Sequence, residues 1–156
     1  MAADAGPFVE SRIRVGVRDV VAAEGAVRAV AALLAAGDPA ADVPVERIEA
    51  ALLERERIAT TAAGGGVAFP HAKVAGLREP RTALLVLAPP GADMGAPDGA
   101  PVRIVAALVV PLQEAGDHLG LLGTMARLTR SAAVRSALLE AGDAAAALLA
   151  VGRDAG

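Results

Sequence analysis

The first regular pattern along the chain is an alternation of apolar and polar residues. Between Ile13 and Val17 every second residue is apolar, and this period of two predicts a half-buried strand. Apolar residues then recur at helical spacing, which predicts a helix with Asp19 as its N-cap, an end near Ala36 and Gly37 as its stop signal. The predicted inner face of this helix consists of Val20, Ala23, Val27, Val30 and Leu34.

A second helix is predicted after a short loop at residues 38–42. Pro44 suits the first turn of a helix, and the pattern continues to about Arg57. Val45, Ile48 and Leu52 form the apolar face, and the other faces are rich in charged residues. The glycine-rich residues 60–66 that follow are expected to form a loop leading to His71.

The second half of the chain contains two continuous apolar runs, at residues 82–87 and 102–110, which have the length of buried strands. Residues 89–101, between them, are rich in Gly and Pro and predict turns. His118 opens a predicted helix, and Ser131 and Asp143 are predicted N-caps of two short final helices separated by Gly142. The inner face of the helix at His118 is predicted to be Leu119, Leu122, Met125 and Ala126.

Strands and helices thus alternate, which predicts an α/β fold. We expect residues 1–156 to form a single domain, a mixed β-sheet flanked by helices on both faces, with its core at about residues 13–151. The ends, residues 1–7 and 152–156, are expected to be frayed. No internal repeat and no inter-domain linker is apparent.

Composition excludes several classes of function. The chain has no cysteine, which rules out a disulfide scaffold, a thiolate nucleophile and a cysteine zinc site. A net charge of -3 and an aromatic content of 1% argue against a nucleic-acid partner, because neither a basic surface nor a base-stacking platform is available.

The distribution of apolar residues also argues against membrane insertion. No uncharged apolar stretch approaches the roughly 18 residues that a membrane span needs. The N-terminus lacks the basic and apolar regions of a signal peptide. A soluble cytoplasmic protein is therefore expected.

One of the two histidines, His71, follows Pro70 and a loop with Gly64, Gly65 and Gly66. A histidine on a rigid turn beside an open loop suits nucleophilic or acid–base chemistry near neutral pH, and glycine amides can face an anion. A turn histidine whose ring is satisfied locally is the alternative. The residues alone leave both interpretations open.

The other histidine, His118, falls in the first turn of its helix if Asp117 is the cap. A helix N-terminus disfavours imidazolium, so a neutral ring could donate to a phosphate-like group there. Arg55, on the polar side of the second helix, could hold an oxyanion. The alternatives are an ordinary surface histidine and a solvated charged helix face. Two histidines are too few protein ligands for a metal site unless the fold places carboxylates beside them, so no metal is expected.

In combination these pieces are more specific. Arg55-Glu56 followed by residues 60–71 resembles the phosphorylation-site signature of the fructose/mannitol-type enzyme IIA domains of the bacterial sugar phosphotransferase system, a family that includes a nitrogen-related regulatory branch. Residues 96–102 resemble the Ala-x-Asp-Gly-x-Pro-Val entry to that family's central strand. His118-Leu119 followed by Leu121-Leu122 is similar to its second-histidine helix. The resemblance covers roughly residues 13–151.

The resemblance implies a reaction. His71 would accept a phosphoryl group from an HPr-type phosphohistidine carrier and pass it to an EIIB domain. His118 would donate a hydrogen bond to the phosphoryl oxygens and orient His71, and Arg55 would offset their charge. No metal or other cofactor is implied, since the phosphoryl donor is another protein.

Further binding roles follow from the same resemblance. Thr61 would add a hydroxyl donor, the amides of Gly64, Gly65 and Gly66 would form a cradle, and Pro70 would stiffen the approach to His71. The sequence departs from the family at Gly65, where a polar residue is usual, and this removes one hydrogen bond to the phosphorylated ring or to a partner.

Three interpretations remain at this level. The first is a sugar phosphocarrier, and the second is a regulatory protein whose phosphorylation state controls its binding to target proteins. The third is a small α/β protein with a degenerate site, in which His71 and His118 lie far apart. The sugar and the oligomeric state stay open, a homodimer being one alternative.

Overall fold

A mixed β-sheet lies at the centre of the computed structural model, which describes residues 7–36, 43–113 and 117–152 and, of these, all side chains except those of Asp117 and His118. Within these residues the sheet has six strands, and a 3₁₀ turn at Glu10–Arg12 precedes the first. The strands are β1 Ile13–Val17, β2 Ala62–Gly64, β3 Val67–Ala68, β4 His71–Val74, β5 Arg81–Leu87 and β6 Ile104–Pro111. The helices are α1 Ala23–Ala35, α2 Val45–Ile58, α3 Asp117–Arg130, α4 Ala132–Glu140 and α5 Ala144–Gly152.

Strand β6 organises the sheet because it pairs along both of its edges. It is antiparallel to β5 on one edge and parallel to β3 and β4 on the other. β1 joins the sheet parallel to β5, and β2 joins antiparallel to β3. The expected mixed sheet is thus confirmed, with the order β1-β5-β6-β3-β2.

Strands β3 and β4 occupy one line along β6. Val67 pairs with Ile104 and His71 pairs with Leu108, which is the same offset in register. The line is interrupted only at Phe69 and Pro70, where the Leu108 N–H still donates to the Pro70 carbonyl at 2.9 Å. His71 therefore begins a strand; the expectation of a histidine on a turn is wrong.

Helices cover both faces of the sheet, as expected. On one face α1 and α2 pack against one set of strand residues, including Leu85 and Val105. On the other face α3, α4 and α5 pack against the alternate set, including Leu84 and Ile104. Because neighbouring strand residues point to opposite faces, β5 and β6 are buried on both sides, which explains their continuous apolar runs.

Several predicted helix details are confirmed. Ile48 and Leu52 are buried on the inner face of α2. Ser131 caps α4 by accepting from the Val134 N–H at 3.3 Å, and Asp143 caps α5 by accepting from the Ala146 N–H at 2.8 Å. Pro44 is the N-cap of α2 and precedes its first turn by one residue.

The predicted start of α1 is wrong. The helix begins at Ala23, and Asp19 adopts a left-handed backbone with a φ of 66° instead of capping it. The intervening residues stay extended because their backbone bonds to a neighbouring segment: the Asp93 N–H donates to the Val21 carbonyl at 2.9 Å. Gly37, the predicted stop, and residues 38–42 lie outside the described residues.

Other predictions need correction in the second half of the chain. The expected loop at residues 60–66 is largely a β-hairpin, formed by β2, β3 and a glycine turn. Strand β6 starts at Ile104, since Val102 forms only an isolated bridge with Ala92. Leu119, predicted to face inward, is 67% exposed.

The chain ends are more ordered than predicted at two positions. The Thr82 hydroxyl donates to the Pro7 carbonyl, and Gly152 is the last residue of α5. Residues 1–6 and 153–156 lie outside the described residues. Of the helices that the structure describes, none combines the length and the apolar character that crossing a membrane requires.

The packing around Gly91 yields a stability prediction. Gly91 has a φ of 89°, and a Cβ placed there would lie 2.5 Å from the Val102 carbonyl oxygen. Gly91→Ala should lower the free energy of unfolding by more than the about 1–2 kcal/mol that a left-handed backbone costs alanine, because main chain must move. Gly95→Ala is the control, since its φ is 69° and its Cβ would meet nothing within 4 Å. Equal losses for the two variants in urea denaturation would contradict the steric argument.

Candidate functional site

The ring of His71 is held in a defined orientation by the chain just before it. His71 is half-buried, and its Nδ1 lies 2.8 Å from the Phe69 carbonyl oxygen. Because a carbonyl can only accept a hydrogen bond, Nδ1 must carry the hydrogen. In the neutral ring, Nε2 is then the nitrogen with the free lone pair, which makes it the nucleophilic atom.

His71 opens onto a cavity of about 380 Å³. α2 and the segment after it contribute Arg55, Thr60 and Thr61 to its wall. α3 contributes the opposite wall, and Phe69 lies beside His71; the α3 residues are Leu122, Gly123 and Ala126. A second cavity, of about 220 Å³, is also lined by Arg55 and His71 and adds Lys73. The structure thus brings together His71 and Arg55, two of the predicted catalytic residues.

Arg55 lies in the last turn of α2. Its Nη1 donates to the carbonyl of Ala59 at 2.8 Å, which ties the side chain to the end of the helix. This contact uses part of the guanidinium, which carries five N–H donors. A fixed positive charge therefore borders both cavities beside His71, as a site for an anionic group requires.

Glu56, the next residue, binds the segment that leads to the hairpin. Its Oε1 accepts from the Thr61 N–H at 3.0 Å and its Oε2 accepts from the Thr61 hydroxyl at 2.6 Å. The single hydroxyl hydrogen of Thr61 is thereby directed to Glu56. The predicted role of Thr61 as a hydroxyl donor to a phosphoryl group is not supported, although Thr61 does line the cavity.

The three glycines do not line the cavity onto which His71 opens; Gly64 lines a neighbouring one that shares Phe69 and Ala126 with it. Among the described residues that line the larger cavity, none is Gly64, Gly65 or Gly66. The Gly65 N–H donates to Oδ2 of Asp98 at 2.9 Å, so a carboxylate already occupies this turn. The Gly65 amide is therefore not free to face an anion here, whereas the predicted roles of the Gly64 and Gly66 amides stay predictions.

The Gly65 departure from the family pattern lies in the turn of the hairpin, where the space around the residue is open. A Cβ at Gly65 would meet nothing within 4 Å. Gly65 is not among the described residues that line the two cavities beside His71. The expected loss of a hydrogen bond to a phosphorylated ring or to a partner stays a prediction.

Pro70 acts on His71 through the backbone. It is buried and is not among the described residues that line the two cavities, so its predicted binding role stays a prediction. Its carbonyl accepts from the Leu108 N–H and anchors the chain to β6 directly before His71. The predicted stiffening role fits this placement.

His118 is the second residue of α3, in the first turn as predicted. Its side chain lies outside the described residues, so the His71–His118 distance and the role of His118 stay predictions. Leu122, one helical turn later, lines the cavity. Among the described residues, no group of three or more His, Cys, Asp or Glu side chains is placed to hold a metal ion.

The sequence matches a known protein family over most of its length. The family model described as "Phosphoenolpyruvate-dependent sugar phosphotransferase system, EIIA 2" matches residues 10–151. The chain belongs to this family. An EIIA 2 chain has a general role in phosphotransfer, which agrees with a nucleophilic histidine beside an arginine.

Curated relatives come from two branches of the EIIA 2 family. The chain is 39% identical over 90 residues to a "Nitrogen regulatory protein" of Pseudomonas aeruginosa. It is 40% identical over 91 residues to the "PTS system fructose-specific EIIA component" of Haloferax volcanii. Each alignment covers 58% of this chain and 58% of the relative, so the chain spans little more than half the length of each relative it matches.

Solved structures share the EIIA 2 fold. The nitrogen regulatory protein IIA-Ntr from Neisseria meningitidis matches with a TM-score of 0.82 and 24% identity, over 96% of this chain and 99% of that one. IIA mannitol from Escherichia coli matches with a TM-score of 0.74 and 19% identity, over 92% and 98% of the two chains. These likenesses confirm the predicted fold class.

Two features of this EIIA 2 site were missed in the sequence. The acceptor for the His71 ring is a main-chain carbonyl, that of Phe69, and no side-chain pattern signals it. The second feature is the pair of contacts from Glu56 to Thr61. Its signal in the sequence is a carboxylate beside Arg55, five residues before a threonine. The contacts depend on how the chain turns after α2, which helical periodicity does not give.

The Asp98 turn yields a prediction on pH. Hydrogen bonds from the backbone N–H groups of Gly65 and Ala100 lower the pKa of Asp98 below its ordinary value of 3.8. A carboxyl with a lower pKa in the folded state adds stability above its unfolded pKa, and this is lost as the pH falls through the folded pKa. The gap in unfolding free energy between wild type and Asp98→Asn should therefore be full near neutral pH and narrow below about pH 4.

Asp93→Asn is the comparison, because Asp93 is a carboxylate of the same turn-rich segment that accepts one backbone N–H, from Gly95 at 3.1 Å, whereas Asp98 accepts from both Gly65 and Ala100. Urea denaturation at a series of pH values measures the gap. The gap should be smaller for Asp93→Asn. A gap for Asp98→Asn that stays constant from neutral pH to acid would show that the Gly65 and Ala100 contacts do not stabilise the fold.

Proposed function

We propose that this chain is a phosphocarrier of the phosphoenolpyruvate-dependent sugar phosphotransferase system. His71 accepts a phosphoryl group from an HPr-type phosphohistidine protein and passes it to an EIIB domain for sugar uptake of the fructose or mannitol type. The observation that carries this proposal is the Nδ1 contact with the Phe69 carbonyl at 2.8 Å, which leaves Nε2 as the nucleophile beside Arg55.

The transfer is a substitution at phosphorus. The Nε2 lone pair of His71 forms the new N–P bond while the N–P bond of the donor breaks, and that electron pair returns to the donor imidazole. Nothing is oxidised or reduced. The same substitution, with His71 as the leaving group, delivers the phosphoryl group to the next protein. Catalysis then depends on in-line positioning and on stabilisation of the phosphoryl charge.

Arg55 and His118 have complementary roles in this proposal. Arg55 borders both cavities and offsets the charge of the phosphoryl oxygens. His118, in the first turn of α3, donates a hydrogen bond to those oxygens and helps to orient His71. The helix N-terminus favours a neutral imidazole and a bound anion at that end of α3.

The relatives support the partners in this proposal. The Haloferax volcanii relative is named a fructose-specific EIIA component. A structure of enzyme IIA mannitol in complex with phosphorylated enzyme IIB mannitol from Escherichia coli matches this chain with a TM-score of 0.75 at 19% identity. We further propose that residues 1–156 form one such domain, acting in the cytoplasm without a nucleic-acid partner or membrane insertion; a homodimer is an alternative to a monomer.

A regulatory role is the second candidate. Relatives from Pseudomonas aeruginosa and Bradyrhizobium diazoefficiens are both named nitrogen regulatory proteins, each 39% identical over 90 and 95 residues. In this role the same phosphorylation of His71 would control binding to target proteins. Transfer from phosphorylated His71 to a sugar-specific EIIB domain separates the two, since only the first candidate requires it.

Phosphorylation of His71 is directly testable. Incubation with a phosphorylated HPr-type protein should raise the mass of the wild type by one phosphoryl group, because Nε2 is a free nucleophile. His71→Ala should show no gain, and His118→Ala, which retains His71, should still show it. Intact-protein mass spectrometry measures all three. No gain in the wild type from any HPr-type donor would refute both candidate functions.

The role of His118 calls for a second measurement. His118→Ala should fold normally but release the phosphoryl group from His71 to EIIB more slowly, by about 10- to 100-fold, because one contact to the phosphoryl oxygens is lost. Single-turnover transfer from the phosphorylated variant measures the rate. Leu119→Ala is a matched control, since it changes the adjacent, largely exposed side chain. A wild-type rate in His118→Ala would exclude the proposed role.

A further inference from the structure

The hydrogen bonds at the open end of the β2–β3 hairpin deviate from a regular ladder. Ala62 pairs with Ala68, so Thr61 and Phe69 lie directly opposite each other. The Phe69 N–H donates to the Thr61 carbonyl at 3.0 Å. In an antiparallel pair of this kind the two residues normally exchange both bonds, so the Thr61 N–H would donate to the Phe69 carbonyl.

Both partners of that second bond are instead engaged elsewhere. The Thr61 N–H donates to Oε1 of Glu56 at 3.0 Å. The Phe69 carbonyl lies 2.8 Å from Nδ1 of His71 and accepts its hydrogen. In place of one ladder bond there are thus two contacts: the Thr61 N–H binds the Glu56 carboxylate, and the Phe69 carbonyl binds the His71 ring.

We propose that Glu56 is a positioning residue that reserves the Phe69 carbonyl for His71. Because its carboxylate accepts the Thr61 N–H, the ladder bond from this N–H to the Phe69 carbonyl does not form. The Phe69 carbonyl then remains available to Nδ1 of His71. The catalytic consequence rests on the proposed function of His71, whereas the hydrogen-bond exchange does not.

The energetics favour this arrangement only while the carboxylate is present. Thr61 is 7% exposed, and a buried N–H without a partner is costly. Charge-assisted bonds from an N–H to a carboxylate are stronger than bonds to a neutral carbonyl, and Glu56 also binds the Thr61 hydroxyl at 2.6 Å. Without Glu56, the geometry of the strands makes the Phe69 carbonyl the acceptor for the Thr61 N–H.

Loss of the Nδ1 contact would change the chemistry of the ring. The Phe69 carbonyl holds the hydrogen on Nδ1 and fixes the plane of the imidazole. The carbonyl oxygen has two lone pairs and can accept from both groups, but a second donor weakens its bond to Nδ1 and raises the share of the other tautomer, in which Nε2 carries the hydrogen and has no free lone pair. The ring also gains rotational freedom, which reduces in-line attack.

The test uses three substitutions of Glu56 and one control. Glu56→Ala removes the acceptor, Glu56→Asp shortens it by one methylene, and Glu56→Gln keeps a neutral oxygen acceptor at the same length. Glu54→Gln is the control, because Glu54 lies on the same helix and is exposed. Thermal denaturation identifies which variants are folded, and the Asp variant replaces the Ala variant if the latter is not.

Long-range ¹H–¹⁵N NMR of the histidine rings at a pH well above the ordinary imidazole pKa of about 6.5 reports the tautomer directly. The chain has only two histidines, so His118→Ala assigns both rings. The wild type and Glu54→Gln should show His71 with its hydrogen on Nδ1. Glu56→Ala and Glu56→Asp should show an increased share of the Nε2–H tautomer, and Glu56→Gln should lie closer to the wild type.

Phosphoryl acceptance provides the second measurement. Its rate should fall by up to about 100-fold in Glu56→Ala, the size expected when a reacting group is misplaced, with partial recovery in Glu56→Gln. An unchanged tautomer in folded Glu56→Ala or Glu56→Asp would overturn the inference. If the Glu56 variants change the tautomer but the wild type accepts no phosphoryl group, the hydrogen-bond exchange is upheld and the proposed function is refuted.

Discussion

Pairing of β6 along both of its edges is the constraint on which the rest of the structure depends. Every residue from Ile104 to Val110 is buried, so the strand is covered by helices on both faces as well. β5 occupies one edge in full, and the other edge is divided between β3 and β4. The division places two residues, Phe69 and Pro70, where the strand is interrupted while its register is maintained. His71 takes its position from this interruption.

Two carboxylates then hold the β2–β3 hairpin that precedes His71. Asp98 binds the glycine turn of the β2–β3 hairpin, and Glu56 binds Thr61 at its open end. Each accepts main-chain N–H groups, as carboxylates do most favourably. The hairpin is thus held at both ends by residues that are distant from it in sequence or on another element. Arg55 and Lys73 leave the cavities beside His71 with positive charge.

The elements that sequence patterns predict well are those that bury a face of their own. α2 follows from Ile48 and Leu52 at helical spacing, and β5 and β6 follow from apolar runs too long and too continuous for turns. The caps at Ser131 and Asp143 are local and depend on side-chain chemistry within four residues. His71 and Arg55 were identified as site residues for a different reason, since their motif resembles that of a known family.

Long-range pairing accounts for what sequence patterns did not predict. β3 has two residues and β4 has four, which is too short for an alternation to be read. Asp19 was assigned as a cap from local chemistry, but the bond from Asp93 to Val21 keeps the following residues extended. The glycines at residues 64–66 suggested an anion site, but a partner 33 residues away, Asp98, takes the Gly65 N–H.

The contact between Asp98 and the hairpin has a consequence for sequence variation. Its donor is the main chain of Gly65, and every residue except proline supplies the same N–H. The backbone there is left-handed, which Asn and Asp tolerate best among residues with a side chain, and the space around a Cβ is open. The side chain at position 65 can therefore change while Asp98 keeps its hydrogen bond to the main chain of the hairpin. Within this fold, position 65 can therefore vary without loss of that main-chain contact, only a few residues before β4 and His71.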